Sequence, residues 1–370
     1  MDTTSPADPT ISPGEVAARR DDEDLFVLDV RRADEFEEWH VEGSSNLPIY
    51  DQLLQGNLSG LEAALDDLPS DREIAVVCVA GVTSATAAEF LRERGFDARS
   101  VADGMNGWGR VHLAYDTDVP GVTQVVRPGT GCVSYLVADG DEAVVVDPSL
   151  YVGEYVDLAA DRGVDLVGAI DTHAHADHVS GGRRLHQARD VPYYLHEADG
   201  GSLTAYDALA DGDSVAVGDR ELTVSHTPGH TPGSVSLRWG DALLSGDTLF
   251  LASVGRPDLE DNDEAAVRDA AGDLFGSLRR LAALPDDTVV LPGHYSDESV
   301  RPLATTLDEL ATDNHLFGLD DEAAFVDAVV ESLSETPANY QQIKQINWGE
   351  APLTEEATTL ELGPNNCAAN

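Results

Sequence analysis

The sequence predicts an α/β protein of two domains. The first is built on a parallel sheet with flanking helices, and the second places hairpins and helices around a metal-binding loop. Three observations lead there. Apolar strand-like runs alternate with helix-like stretches over the first third of the chain, as in βαβ units. After residue 121, strand-like runs are joined by short loops, as in antiparallel hairpins. Four metal-capable side chains, His173, His175, Asp177 and His178, crowd into one loop directly after the apolar run Leu166–Ile170. Ligands on a rigid turn at the mouth of a strand are where a metal site is expected.

In chain order, residues 1–12 read as a loose tail. A short helix over Pro13–Arg20 follows, then a buried strand, Leu25–Val30. A helix around Leu58–Asp67 leads to a second apolar strand, Ile74–Val77, which ends at Cys78. After it comes a helix over Ala85–Arg94, stopped by Gly95. A cysteine in a short loop between a strand and a helix has a physical purpose. The loop's N–H groups and the helix N-terminus favour negative charge, so they stabilise a thiolate. On the cysteine alone a buried structural thiol is the competing reading. The surroundings decide between them: Leu28-Asp29-Val30-Arg31, the run from His40 through Gly43 to Pro48, the Cys78-x-x-Gly81-x-x-Ser84 loop, and Asp103-Gly104-Met105-Asn106-Gly107-Trp108. Together these resemble the rhodanese family across residues 13–115. The resemblance implies that Cys78 is the sulfur-accepting nucleophile, in the short loop of sulfurtransferases. Thr83 stands where that family often has arginine. Asp29 and Arg31 read as a structural ion pair, and His40 as a turn-stabilising group.

Residues 114–121 are polar and end in Pro-Gly, so the boundary falls there, giving domains of residues 1–116 and 117–370. Strands are expected over Thr123–Val126, Cys132–Val137 and Ala143–Val146, with a helix at 154–162 before the strand Leu166–Ile170. Cys132 reads as core. Further metal-capable residues follow at His230 in TPGHTPGS, Asp247 in LLSGDTLF and His294 in LPGHY. Neutral imidazoles of His173, His175 and His230 with the Asp247 carboxylate can hold a metal. Asp177, His178 and His294 can complete a second site. His112, His186, His196, His226 and His315 read as surface or supporting residues.

This ordered set of seven resembles the metallo-β-lactamase superfamily over roughly residues 121–330, which implies a four-layer αβ/βα sandwich. Ser253 to Leu259, containing Gly255-Arg256-Pro257-Asp258, together with Pro337 to Ile343, is similar to the persulfide dioxygenase branch. That likeness implies one Fe(II) per chain, held by His173, His230 and Asp247. Arg256 and Asp258 would then lie on the substrate side as catalytic residues, or else form a buried structural ion pair. The glyoxalase II branch shares the seven residues and implies two Zn per chain and thioester hydrolysis. Its basic C-terminal module has no counterpart here. The activity expected is oxidation of a low-molecular-weight thiol persulfide by O2 to sulfite, coupled to sulfane-sulfur transfer on Cys78, with thiosulfate or sulfite as partner. A homodimer is the assembly left open.

Charge narrows the partners. The chain carries 22 basic against 69 acidic residues, formally −47, with Lys344 its one lysine. Such a balance excludes non-specific nucleic-acid binding through basic patches and disfavours anionic membranes. Apolar residues make up 42%, too many for charge-driven disorder, so an acid-coated folded protein is expected, as in halophile cytoplasm. No apolar run is long enough to span a membrane, and Cys78, Cys132 and Cys367 are too scattered for a disulfide framework, which fits a cytoplasmic setting. Screening then matters: the Debye length is about 30 Å at 0.01 M salt and about 3 Å at 1 M. Dialysis to low salt is expected to lower the melting temperature, and equal melting temperatures in the two conditions would contradict this reading.

Overall fold

The structure, a computed structural model, describes residues 8–295, 302–334, 336, 339–362 and 368–369. Cys367 and the pair Pro337-Ala338 lie outside the described residues. The chain forms two units: residues up to Leu113 with Arg127–Thr130 and Leu362, and Ala114–Val126 with Gly131–Glu361.

The first unit is a five-stranded sheet in the order Thr10–Ile11, Ala98–Val101, Glu73–Val77, Leu25–Asp29, Ser45–Asn46, with every pairing parallel. Its central strands are buried on both faces. Ile74 and Val76 enter one apolar cluster, Ala75 and Val77 another. Successive side chains point to opposite faces, so a strand covered on both sides reads as one continuous apolar run. The expected tail contains a strand: Ile11, 1% exposed, pairs with Val101. Two residues are too few for periodicity to show. The helix Val82–Glu93 starts earlier than expected, right at the Cys78 loop.

The second unit holds two large sheets and a two-stranded one, Val254–Gly255 with Ala368–Ala369. The seven-stranded sheet runs Asp207–Leu209, Tyr193–His196, Asp165–Ile170, Glu142–Val146, Val133–Asp139, Val122–Val126, Leu113–Asp116. The six-stranded sheet runs Ser214–Val217, Arg220–His226, Val235–Trp239, Ala242–Gly246, Val289–Pro292, Thr305–Thr306. They share a core in which Val126, Tyr135, Val144, Val146 and Ile170 meet Val217, Leu222, Val224, Leu237 and Trp239. The alternate residues Ala143 and Val145 face outward and pack with Tyr155 and Ala159 of the helix Val152–Arg162. On the opposite side, Leu243 and Val290 pack with Ala271, Leu274 and Leu278 of Glu264–Leu281 and with Phe325 of Glu322–Ser332. Helix, sheet, sheet, helix is the four-layer sandwich. The polar stretch expected as a linker contains the strand Leu113–Asp116, which alternates half-buried and exposed. An edge strand covered on one face is half polar and reads like a connection. No helix among the described residues is long and apolar enough to cross a membrane.

Candidate metal centre

The metal-capable residues gather because strands of both sheets end on one edge of the sandwich. Asp165–Ile170 runs into His173–His178, Ala242–Gly246 into Asp247, and Val289–Pro292 into His294. His230 comes from the turn between Arg220–His226 and Val235–Trp239. Two glycines permit the close approach. A Cβ on Gly255 would lie 1.9 Å from the Asp247 carbonyl oxygen, and one on Gly293 would lie 2.4 Å from Asp247 Oδ1.

Three atoms converge. His173 Nε2 lies 3.8 Å and His230 Nε2 3.6 Å from Asp247 Oδ2. All three residues are buried, and none of the three atoms has a hydrogen-bond partner. Each buried polar atom left unpaired costs about 1–3 kcal/mol. Three such costs at one point are the mark of a cation site, and the spacing suits two donors on one ion with bonds of about 2.0–2.2 Å. The protonation pattern agrees. The Thr172 hydroxyl donates to Asp147 Oδ2 (2.9 Å), so it accepts from His173 Nδ1 (2.9 Å). His230 Nδ1 donates to the Arg256 carbonyl (2.9 Å). In both rings the proton is fixed on Nδ1, and the Nε2 lone pair points into the site. Burial holds His173 well below its ordinary value, with His175 and His230 adding to the effect. Burial also lowers His230 against the pull of Asp247. Both rings are therefore neutral, as a ligand must be.

Of the remaining residues, Asp177, His178 and His294 are engaged with one another. Asp177 Oδ2 accepts from His178 Nδ1 (2.9 Å), His294 Nε2 (2.8 Å) and Cys132 Sγ (2.9 Å). His294 also reaches Asp247 Oδ1 through Nδ1 (2.8 Å). Burial opposes charge on His294, but the Asp247 and Asp177 carboxylates outweigh it and hold the imidazole well above its ordinary value. By the same contest, burial against Asp177, His178 is raised to about 9. His175 turns its Nε2 to Asp147 Oδ1 (3.2 Å), while its Nδ1, like His178 Nε2, has no hydrogen-bond partner.

Several supporting residues escaped sequence reasoning. Cys132 is buried, as expected of a core residue, but it precedes the strand Val133–Asp139, bridges to His294 and turns its thiol to the site. Asp147, with φ +53°, accepts from the Thr172 N–H (2.6 Å) and hydroxyl. Asp199 accepts from Ala174 N, Thr231 Oγ1 and Gly233 N, tying the His173 loop to the His230 turn. Asn347 Nδ2 donates to the carbonyls of His175 and His178 (both 2.9 Å), and its Oδ1 accepts from Ser180 N. An Asp ending an apolar strand before Pro148 was the one available signal; the other contacts join residues far apart in sequence. The Arg256 guanidinium is buried, paired twice with Asp258 (2.7 and 2.9 Å) and bonded to the Ser334 carbonyl. His196 stacks on His226 at 4.2 Å, outside the ligand group.

In the first unit, Cys78 is buried at the head of its loop, with Sγ 3.2 Å from Ser84 Oγ, which in turn meets Ser100 Oγ at 2.9 Å. Burial opposes the thiolate, but the hydroxyls of Ser84 and Thr83 and the N–H groups of Ser84 and Ala80 prevail and lower the thiol below its ordinary value. Gly104, at φ +55°, lets the loop close: a Cβ there would lie 2.1 Å from the Cys78 carbonyl oxygen. Asp29 and Arg31 form a buried bidentate pair, and His40 stacks on Phe36.

Comparison with known proteins follows this division. Residues 12–110 match the rhodanese-like domain and residues 127–294 the metallo-beta-lactamase superfamily. An uncharacterized protein of Aquifex aeolicus is 33% identical over 187 residues, 45% of this chain and 85% of that protein. A hydroxyacylglutathione hydrolase of Rhodospirillum rubrum is 35% identical over 168 residues, 44% of this chain and 61% of that enzyme. Among solved structures, ETHE1 from Myxococcus xanthus aligns with a TM-score of 0.55 at 27% identity, covering 62% of this chain and 99% of its own. A metallo-beta-lactamase from Staphylococcus aureus aligns at 0.58 with 26% identity, covering 66% and 75%.

Proposed function

The chain joins a rhodanese-like domain to a metallo-β-lactamase domain, and on that premise we propose that it is a persulfide dioxygenase with one iron(II) per chain and a sulfur-carrying cysteine. The overall change is RSSH + O2 + H2O to RSH + sulfite + two protons. The observation that carries this reading is the separation of the seven residues into two groups. His173 Nε2, His230 Nε2 and Asp247 Oδ2 are buried, convergent and unpaired, whereas both nitrogens of His294 and one oxygen of Asp177 are occupied within the protein. Two neutral imidazoles and one carboxylate suit iron(II), which supplies redox chemistry with open coordination positions when bound. His294 donates to Asp247 Oδ1 and so fixes Oδ2 as the donor into the site. The fold of the second domain is shared with ETHE1 from Myxococcus xanthus over nearly all of that chain.

In the first domain the Cys78 thiolate attacks the outer sulfur of a persulfide or thiosulfate. A new S–S bond forms, the old one breaks, and the thiol or sulfite leaves with the electron pair. Sulfite formed in the second domain can take that sulfur as thiosulfate, or the reverse transfer can make persulfide.

A second reading, a dinuclear zinc thioester hydrolase, is favoured by two observations. One is the hydroxyacylglutathione hydrolase relative. The other is the His175, Asp177 and His178 group, in which His175 Nδ1 and His178 Nε2 lack hydrogen-bond partners. Elemental analysis of anaerobically purified protein separates the two. About one iron per chain with oxygen uptake on added persulfide is expected; two zinc ions with thioester hydrolysis and no uptake would replace the dioxygenase by the hydrolase.

A further inference from the structure

Packing alone does not explain one buried hydroxyl of the first unit. Ser100 lies in the strand Ala98–Val101, between Thr10–Ile11 and Glu73–Val77, and is 2% exposed. Side chains two apart on a strand share a face. Ala98, on the face of Ser100, packs in the apolar cluster that contains Cys78. A hydroxyl on that face costs desolvation that an alanine would not. Its partners are Ser84 Oγ at 2.9 Å and the Gly81 carbonyl at 3.4 Å. Ser84 Oγ in turn lies 3.2 Å from Cys78 Sγ. The result is a continuous chain from the sulfur, through two hydroxyls, to a carbonyl of the same loop. The sulfur and both hydroxyls are buried.

Hydroxyl hydrogens rotate, so the ends of the chain set the direction of donation. With Cys78 as a thiol, the sulfur donates to Ser84, Ser84 to Ser100, and Ser100 to the Gly81 carbonyl. A thiolate can only accept. Ser84 then turns its hydrogen to the sulfur, and Ser100 turns from its long bond with Gly81 to the shorter one with Ser84. No group is stranded by the reversal, because the Gly81 carbonyl keeps the Ala85 N–H (3.3 Å). With Ser100 donating behind it, the Ser84 hydroxyl is polarised toward the sulfur. Charged side chains of the surrounding elements are engaged elsewhere: Asp29 with Arg31, Arg99 with Glu15 and Glu73, and Asp103 with Arg110. On the helix Val82–Glu93, Arg92 donates to the Ala98 carbonyl, and Glu89 and Glu93 are exposed.

We propose that Ser100 is a positioning residue for Cys78, acting through Ser84 to aim a hydroxyl hydrogen at the sulfur once the thiol proton is gone. The inference rests on the sulfur-carrier reading of Cys78 and adds to it a residue outside the loop, 16 positions beyond Ser84. The thiol proton leaves to solvent; the relay turns only its own hydroxyls. The same arrangement serves the persulfide, whose inner sulfur carries no hydrogen and accepts from Ser84.

The test is alkylation of the full chain by iodoacetamide across a pH series, read as added mass on the peptide containing Cys78. It reports the thiolate and needs no sulfur transfer. A hydrogen bond of this kind corresponds to about a two- to tenfold effect. Ser100→Ala should slow alkylation at neutral pH by that factor and move its midpoint upward by at most about one pH unit. The limiting rate at alkaline pH should stay in place. In a Ser84→Ala background the same substitution should change nothing, because the link to the sulfur is already cut. Ser100→Thr keeps the hydroxyl and should keep the wild-type midpoint, whereas Ser100→Val, of the same shape, should behave like Ser100→Ala. An unmoved midpoint in Ser100→Ala, or an equal shift with and without the Ser84 hydroxyl, overturns the proposal. Should the Ala variant fail to fold, the Thr and Val pair decides. A shift that depends on Ser84, with no sulfur loaded onto Cys78 from a persulfide or thiosulfate, would remove the carrier reading and leave the relay standing.

Discussion

Asp247→Ala is expected to purify without iron and to lose persulfide-dependent oxygen uptake altogether. Asp247 is the only anionic member of the group it forms with His173 and His230, and its Oδ2 is the oxygen that both imidazole nitrogens approach. Two neutral imidazoles alone leave the cation without charge compensation in a buried site, where an unpaired charge costs several kcal/mol. His294→Ala is the sharper companion. In the one-iron reading His294 acts on the metal only through Asp247 Oδ1, so its loss should cost about 10- to 100-fold in activity or affinity, with iron still bound. In a two-metal hydrolase it is a ligand, and its loss empties the second site. The pair of variants therefore gives different metal counts under the two readings. Iron lost from both to the same extent would falsify the division into a ligand triad and supporting residues.

How far the site was legible in the sequence follows from the range of its interactions. His173, His175, Asp177 and His178 share one loop, and His230, Asp247 and His294 each sit in a turn-like motif at a strand end, so local pattern is enough to find them. What each does is set by partners that pattern cannot reach. His230 presents Nε2 because Arg256, 26 positions on, offers its carbonyl to Nδ1. His294 is engaged because Asp177, 117 positions back, faces Nε2. Asn347 holds the metal loop across 172 and 169 positions, and in sequence it is one more polar residue near the end of a helix. The fold shows the same division. Leu25–Asp29 and Glu142–Val146, covered on both faces, read as unbroken apolar runs. Thr10–Ile11 and Leu113–Asp116 lie at sheet edges, where brevity or one-sided burial hides them. Cys132 read as core from its strand-like surroundings, and it is buried; only the Asp177 oxygen 2.9 Å away shows that its thiol belongs to the site.

Cys78→Ser is expected to abolish sulfur transfer in the first domain and leave oxygen uptake on added persulfide in place. The thiolate is the nucleophile in thiol exchange, and a serine hydroxyl at neutral pH is not ionised to any useful degree. The loop favours the thiolate despite the burial that opposes it, through the hydroxyls of Ser84 and Thr83 and the N–H groups of Ser84 and Ala80. A thiol lowered in this way is ionised from a more acid pH upward than the ordinary value of about 8.5. The acid limb of the transfer rate should therefore lie below that value and flatten above it. Ser84→Ala removes the nearest hydroxyl, 3.2 Å from the sulfur, and should move the limb back toward more alkaline pH without stopping transfer. Thr83 is uncharged where an arginine would give a dianionic donor a partner, so transfer from a thiol persulfide should exceed transfer from thiosulfate. Mass spectrometry after exposure to a donor should find one added sulfur on the peptide containing Cys78. If the sulfur appears instead on Cys132 or Cys367, or if Cys78→Ser transfers at the wild-type rate, Cys78 is not the carrier.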